Sequence, residues 1–187
     1  AVLPRPAGFE FTPGQRIRLL HRSYERDYSL VNGSDDTNLV LCVRSVSGGK
    51  FSPLLATAAI GTPFNFTGPQ GYFVYRASTR PPVFVATGTG IAPFVALARS
   101  GVGGYLLLHG VRAEKDLYYA SLLRSKARRY VACLTEDPRS AAGFFHGRVS
   151  EYLATHLESG AYDFYLCGRE EMSGTSPGWW TTTSPSP

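Results

Sequence analysis

The stretch Val83–Pro93 (VFVATGTGIAP) decides the fold of this chain. Val83–Ala86 is apolar, β-branched or aromatic, which is typical of a strand buried on both faces. Residues 87–90 then form a glycine-rich turn, and Ile91–Ser100 has apolar residues at helical spacing. Such a strand, turn and helix form half of a βαβ unit, whose helix N-terminus can hold a diphosphate. The spacing is not G-x-G-x-x-G, so an ordinary strand-to-helix turn, with Pro93 in the first helical turn, explains the same residues.

The composition is that of a globular protein with one large or two small domains. The 187 residues are 43% hydrophobic and 18% charged, which is enough apolar material for real cores. No apolar run approaches the ~20 residues of a membrane span. The N-terminal residues show no charged-then-apolar leader pattern. We therefore expect a cytoplasmic protein without a membrane span.

Charge and cysteine content narrow the possible functions. The formal charge of +5 fits either the steering of an acidic partner or an ordinary surface. No basic run is interleaved with aromatic residues, so we expect no nucleic-acid partner. Cys42, Cys133 and Cys167 lie far apart without C-x-x-C spacing. This pattern argues against an iron–sulfur cluster, a structural metal or a disulfide framework on this chain.

Residues 1–79 are predicted to form an all-β domain. Alternating or β-rich segments separated by Gly, Pro and Asn turns predict six short antiparallel strands, which suggests a small closed barrel. One short helix is expected at Pro53–Thr57. The predicted strands are residues 9–11, 15–21, 28–31, 38–46, 60–66 and 71–75.

After a proline-containing linker at 79–82, strands alternate with helices. This change predicts a second domain at 83–172, built on a doubly wound parallel sheet. The predicted strands are 83–86, 105–109, 130–134 and 163–167, and the predicted helices are 91–100, 115–129 and 148–159.

A flat phosphorylated ligand would suit the segment Arg26–Leu30 (RDYSL). Strand alternation places Arg26 and Tyr28 on one face, where the ring can stack and the guanidinium can pair with phosphate. Ser29 could hydrogen-bond a ring nitrogen. A surface arginine beside a half-exposed tyrosine explains the same pattern.

Two further segments are candidates for the binding of a diphosphate and a ring. Gly49 and Ser52 precede a short helix, where Ser52 either caps the helix or helps to hold a diphosphate. Cys167 ends a predicted strand, and Gly168 follows it. Because ligands bind at the carboxyl ends of parallel strands, Cys167 and the turn after Ala86 should face the same crevice. A buried structural cysteine is the alternative.

Four motifs in sequence order carry a family resemblance: RDYS at 26–29, G-x-x-S at 49–52, GTGIAP at 88–93 and YLCG-x-x-x-M at 165–172. Together they resemble the ferredoxin–NADP reductase superfamily over roughly residues 8–172. Gly110-Val111-Arg112 and the segment 116–119 (DLYY) further resemble bacterial FAD-containing reductases of oxygenases and ferredoxins.

The resemblance implies a role for each residue of these motifs. Arg26 would pair with the flavin pyrophosphate, Tyr28 would stack on the isoalloxazine, and Ser29 would lie near its reactive nitrogen. Ser29 and Cys167 are the candidate catalytic residues. The remaining candidate cofactor-binding residues are Leu30, Gly49 and Ser52 for FAD, and Thr87, Gly88, Gly90, Ile91, Pro93, Arg112, Gly168 and Met172, with Cys167, for the nicotinamide dinucleotide.

The implied activity is hydride transfer from NAD(P)H to FAD without a protein acid or base, followed by single-electron transfer to a separate iron–sulfur protein. Glu136 weakly favours NADH, although Arg112 and Arg148 fall where some relatives contact the 2′-phosphate of NADPH. An electron-transfer subunit with little activity alone, or a truncated and poorly active fragment, remains an alternative.

Residues 173–187 (SGTSPGWWTTTSPSP) depart from the family pattern. They contain three prolines and no helical periodicity, so we expect a disordered tail in place of the family's closing helix and strand. Read one base earlier with GC-rich codons, the same stretch can encode an amphipathic helix. A frame change after Met172 is therefore a hypothesis that sequencing the gene would test.

Overall fold

The computed structural model describes residues 1–136 and 143–168. Its contacts divide the chain into two compact units. The first comprises residues 1–77 and 92–102, and the second comprises residues 78–91 and the chain from 103 onward. Met172 and the tail at 173–187 lie outside the described residues, so the predictions made for them remain predictions.

The first unit has antiparallel strands and one short helix. Within the described residues it contains five strands, in a sheet of order β3-β2-β5 and a β1-β4 pair, where the sequence predicted six. The antiparallel class is confirmed. The elements are β1 Val2–Pro4, β2 Arg16–His21, β3 Tyr24–Ser29, β4 Asn38–Val40, α1 Ser52–Thr57 and β5 Asn65–Gln70.

Alternation along β2 separates the core of this unit from its surface. Ile17 and Leu19 are fully buried, whereas Arg16 and Arg18 point to the other face and form ion pairs with Asp27 on β3. Burying such aliphatic side chains contributes roughly 1.5–3 kcal/mol each. The core consists of Phe11, Ile17, Leu19, Leu30, Leu39, Leu41 and Phe51.

Two predicted strands are wrong, and local hydrogen bonds explain both. The Phe9 N–H donates to the Pro6 carbonyl, and the Phe9 carbonyl accepts from Arg5 Nε. The backbone at 9–11 is therefore used locally, while its aromatic side chains still pack inward. At 71–75, the Val74 N–H donates to the Tyr72 carbonyl in a tight turn. In both segments alternation reflects inward packing of loop residues rather than a strand ladder.

A five-stranded parallel sheet forms the second unit; the sequence predicted a parallel sheet here, with four strands. Its order is β10-β6-β7-β8-β9. The strands are β6 Pro82–Thr87, β7 Leu106–Val111, β8 Arg129–Leu134, β9 Phe145–His146 and β10 Asp163–Cys167. The two-residue β9 was not predicted.

Three helices follow the strands in sequence, each shorter than predicted. They are α2 Ala92–Arg99, α3 Ala120–Lys126 and α4 Val149–His156. By its contacts α2 belongs to the first unit. The helix predicted at 115–129 is interrupted because Tyr119, immediately before α3, has a left-handed backbone with φ of 60°, which an α-helix excludes.

The sheet reverses its strand order beside β6, and this reversal determines where a ligand can bind. β6 pairs with β7 on one side and with β10 on the other, parallel to both. The crevice outside the carboxyl ends of β6 and β10 is therefore the expected ligand site. One sheet face packs Val83, Val85, Leu106, Leu108 and Cys133 against Val149, Tyr152 and Leu153. No helix among the described residues is long and apolar enough to cross a membrane.

Candidate functional site

The glycine-rich turn after β6 is a short 3₁₀ helix, Gly88–Ile91, rather than a plain loop. Gly88 has φ of 54°, and a Cβ added to it would meet no atom within 4 Å. Its left-handed conformation favours glycine, and its outer side is open. The turn leads directly into α2, where Pro93 is the second residue, a position at which proline fits.

The loop after β10 packs directly against this turn. A Cβ at Gly90 would overlap the Cys167 carbonyl, and a Cβ at Gly168 would overlap the Thr87 hydroxyl. The structure therefore brings Thr87, Gly88 and Gly90 together with Cys167 and Gly168, as the strand-end argument predicted. Ile91 adjoins this group, but its side chain is fully buried.

Cys167 is half-buried, and burial raises the pKa of its thiol to about 11. The thiol therefore stays protonated near neutral pH, which makes it a poor nucleophile. A cysteine in this state can occupy space beside a ring and make weak hydrogen bonds, but it carries no charge there.

Two opposite charges lie beside the ends of the next strands. Arg112 follows β7, and its Nε lies 3.2 Å from a carboxylate oxygen of Glu136, which follows β8. The Glu136 N–H also donates to the Arg112 carbonyl over 2.9 Å. Arg148 precedes α4, and its backbone N–H donates to the Glu151 carboxylate at 3.0 Å, a capping arrangement.

The motif at 26–29 lies on β3, an edge strand of the three-stranded sheet. Register pairs Arg26 with Leu19 and Tyr28 with Ile17, so both motif residues share one face, as predicted, and this is the face that carries the core. The Tyr28 ring is half-buried 6.1 Å from the Phe51 ring, and burial raises the pKa of its hydroxyl.

The other residues of this segment differ in how accessible their side chains are to a ligand. Arg26 is exposed and donates to the Glu25 backbone carbonyl, and it makes no ion pair within the described part of the chain. Ser29 ends β3 and alternates to the opposite face from Tyr28, so a ligand contacting both would have to wrap around the strand end. Leu30 is fully buried in the core, which leaves only its backbone for a ligand.

Phe51 joins the first two motifs, and sequence reasoning missed it. It immediately precedes α1, which begins at Ser52, and its ring contacts Tyr28. An aromatic residue inside the G-x-x-S motif, directly before Ser52, was the available signal. The interpretation of Ser52 as a simple helix cap is wrong, because its hydroxyl accepts from the Val46 N–H at 3.1 Å. Gly49 closes the same turn by donating to the Val46 carbonyl.

These features fit the two cofactors that the motifs imply. In the first unit, a half-buried aromatic ring shares one strand face with a guanidinium that forms no ion pair among the described residues, and a tight turn precedes the short helix α1. On the sheet side, the open face of Gly88 leaves room for a diphosphate bound by the backbone. The close packing at Gly90 holds the loop after β10 beside this turn.

Known domains match both halves of the chain. An oxidoreductase FAD-binding domain matches residues 2–75, and an oxidoreductase NAD-binding domain matches residues 84–176. The propane 2-monooxygenase reductase component of Rhodococcus jostii is 30% identical over 187 residues, 89% of this chain and 50% of that protein. The toluate 1,2-dioxygenase electron transfer component of Pseudomonas putida is 32% identical over 176 residues, 87% of this chain and 52% of that protein.

Solved structures agree with these matches. The cytochrome P450 reductase of Amycolatopsis superposes with a TM-score of 0.74 at 28% identity, covering 88% of this chain and 55% of that one. A ferredoxin NADP+ reductase of Neisseria gonorrhoeae gives 0.73 at 23% identity, covering 91% and 79%, which supports the fold alone. The chain spans about half the length of the curated relatives it matches. With an FAD-binding domain followed by an NAD-binding domain, it belongs to the ferredoxin–NADP reductase superfamily.

Proposed function

We propose that this chain is the flavin-binding part of an NAD(P)H-dependent reductase that delivers electrons one at a time to a separate iron–sulfur protein. The observation that carries the proposal is the packing of Gly90 against Cys167 and Gly168. It brings two glycine-containing loops together at the carboxyl edge of β6 and β10, where open α/β sheets bind ligands. We assign FAD to residues 1–79 and the nicotinamide nucleotide to 83–172, a division that the matched domains support.

FAD, when bound, accepts the nicotinamide hydride and releases the two electrons singly. The chain holds the flavin and keeps it oriented. Arg26 offers a guanidinium without an ion-pair partner in the described residues to the pyrophosphate, and the turn from Gly49 to Ser52 adds backbone N–H groups. Tyr28 offers an aromatic ring, and the tilted Phe51 ring lies 6.1 Å from it.

The sheet loops hold the dinucleotide and orient its ring. Gly88 lets the diphosphate approach the backbone, and the Gly90 junction fixes the spacing between that diphosphate site and Cys167. The Cys167 thiol is neutral and compact, so it can border the ring without stabilising an ion. These residues orient the nicotinamide ring, and such alignment of a reacting group can lower the barrier to hydride transfer by several kcal/mol.

An oxygenase system is the proposed destination of the electrons. The relatives are named as a monooxygenase reductase component and a dioxygenase electron transfer component. The three cysteines of this sequence are far apart, so the accepting cluster is assigned to residues outside this sequence, and we propose that they belong to a ferredoxin or the oxygenase component.

NADH is the proposed electron donor, on the evidence of the ion pair between Arg112 and Glu136. Glu136 neutralises the guanidinium that would otherwise attract a 2′-phosphate, and its carboxylate would repel that phosphate. We expect NADH to exceed NADPH in kcat/KM by at least tenfold. Glu136→Gln should cut this ratio about tenfold, equivalent to about 1.4 kcal/mol. A ratio that does not change would contradict this assignment.

An anaerobic absorption spectrum tests the proposal as a whole. The purified chain, incubated with FAD and desalted, should be yellow and should bleach when NADH is added. A colourless protein would refute the flavin assignment. A yellow protein that neither nucleotide bleaches would instead favour an electron-transfer subunit with little activity of its own.

A further inference from the structure

The helix that follows the nucleotide turn is held near both of its ends by other residues of the first unit. α2 begins at Ala92, directly after the turn Gly88–Ile91, and its contacts group it with residues 1–77. Every residue from Ala92 to Ala98 is buried, so α2 is a core helix rather than a surface helix. Because no residue separates the turn from α2, the contacts that hold α2 also fix the end of the turn.

Near its start, α2 is held by an aromatic contact. The fully buried Phe94 ring lies 5.5 Å from the Phe73 ring in an edge-to-face arrangement, which is a favourable geometry for two rings. A Cβ at Gly14 would overlap the Phe73 carbonyl. A side chain at Gly14 would therefore displace Phe73 and disturb its contact with the helix.

At the last residue of α2, an ion pair holds the helix. Nη1 of Arg99 lies 3.3 Å from Oδ2 of Asp36. The same oxygen accepts from the Gly33 N–H at 3.0 Å and from the Asn32 side-chain amide at 3.2 Å. These two hydrogen bonds fix the carboxylate independently of Arg99, which lowers the entropy cost of forming the ion pair.

Asn32 anchors the Asp36 loop in the core. Asn32 is 1% exposed, and its amide also donates to the Asn38 carbonyl at 2.6 Å. Its side-chain oxygen accepts from the Val40 N–H. A buried amide with all these partners rigidifies the backbone around it. Arg99 therefore pairs with a carboxylate whose position is set by the core of the first unit.

We propose that Asp36 and Arg99 are positioning residues for the nucleotide turn, a role that rests on the proposed function. The turn and the first N–H groups of α2 would bind the diphosphate, so a displacement of α2 would move these groups away from it. The two side chains are 35% and 43% exposed, and such ion pairs contribute little to global stability. Loss of the pair should therefore weaken nucleotide binding while the chain stays folded.

Titration with ADP-ribose, which carries the diphosphate but no nicotinamide, tests the proposal on the FAD-loaded full chain. Calorimetry should give a Kd about threefold higher for Arg99→Gln than for the parent, within the range of partly exposed ion pairs. The matched control is Arg18→Gln, which breaks ion pairs of similar exposure with Asp27 and Glu25 in the same unit. The control should keep the parent Kd, although urea unfolding should show similar small losses of stability in both variants. An unchanged Kd in Arg99→Gln, or an equal rise in the control, would overturn the proposal.

A disulfide bond can replace the ion pair and restore binding. A Cβ at Gly33 would lie 3.5 Å from the Cβ of Arg99, which is within the range for bonded cysteines. Gly33→Cys/Arg99→Cys, oxidised with diamide, should bind ADP-ribose with the parent Kd. After reduction with dithiothreitol, its Kd should rise about threefold, as in Arg99→Gln. The parent chain, treated identically, controls for its own cysteines, and weak binding in both redox forms of the variant would contradict the positioning role.

Stopped-flow flavin reduction separates this proposal from the proposed function. Diphosphate binding is common to the ground state and the transition state, so its loss raises the apparent Kd for NADH without changing the limiting rate. Arg99→Gln should show this split, and a slower limiting rate with an unchanged apparent Kd would contradict it. If ADP-ribose does not bind the parent, the nucleotide assignment fails and the positioning role fails with it. If it binds the parent and Arg99→Gln equally, only the positioning role fails.

Discussion

Acid should destabilise the second unit through one buried histidine. His109 lies on β7 between Ala86 and Ala132 of the neighbouring strands and is fully buried. Its Nδ1 is 2.8 Å from the Tyr130 hydroxyl, and its Nε2 has no hydrogen-bond partner among the described residues. Burial lowers the pKa of this imidazole from 6.5 to about 4, because a charged ring there would lose its hydration.

The direction of the effect follows from proton uptake by the two states. The unfolded chain binds a proton at this histidine below pH 6.5, while the folded chain remains neutral there until about pH 4. Stability is therefore fully present above pH 6.5 and falls as the pH drops towards 4. The difference between the two pKa values is equivalent to about 3 kcal/mol in the free energy of unfolding, of which about 2 kcal/mol is lost between pH 7.5 and 5.

Urea unfolding at several pH values measures this loss. The free energy of unfolding is followed by far-UV circular dichroism at pH 7.5, 6 and 5, for the parent chain and for His109→Leu/Tyr130→Phe. The double variant removes both polar partners at similar volume. It should lose at least 1.5 kcal/mol less than the parent over this range, by the same linkage. Equal losses in the two proteins would refute the assignment to His109.

Two other residues give sharp expectations. Tyr28→Ala should weaken FAD binding at least tenfold, about 1.4 kcal/mol or more, whereas Tyr28→Phe should stay within threefold of the parent because the stacking face is kept. Equilibrium dialysis of FAD measures both affinities. Equal weakening in the two variants would exclude the stacking role. Burial raises the thiol pKa of Cys167 to about 11, so the rate of flavin reduction by NADH should not depend on ionisation of this thiol between pH 6 and 9. Stopped-flow reduction of the parent and of Cys167→Ser measures the rate across this range. A pH-dependent step that is present in the parent and absent in Cys167→Ser would show that the thiolate takes part.

Four of the five strands of the parallel sheet could be predicted from the sequence, with bounds that differ by at most two residues from those observed. These strands are largely apolar runs, which are readily recognised in a sequence, and β10 was predicted with its exact bounds although its residues are only half-buried. The antiparallel strands were harder. Phe9 and Phe11 alternate like a strand, yet they pack inward from a loop whose backbone bonds to Arg5 and to its own turn. An alternating side-chain pattern indicates which residues are buried, but it does not indicate the hydrogen-bond partners of their backbone groups.

The same distinction explains what could be foreseen at the site. The meeting of Cys167 with the Gly88–Gly90 turn follows from strand topology alone and was predicted. The Tyr28–Phe51 contact and the Arg112–Glu136 ion pair join residues more than 20 positions apart, so no local pattern contains them. His109 stands directly after three leucines of a buried strand, which was a usable sign of its burial.

The central claim is that the junction of Gly90 with Cys167 and Gly168 forms the nicotinamide site of the proposed reductase. Stopped-flow reduction of FAD-loaded Gly90→Ala by NADH tests it most directly, because the added Cβ would overlap the Cys167 carbonyl and force the two loops apart. The account predicts a yellow variant with unchanged FAD affinity whose flavin is reduced at least a hundredfold more slowly than in the parent, about 2.7 kcal/mol. Reduction within threefold of the parent rate would contradict it.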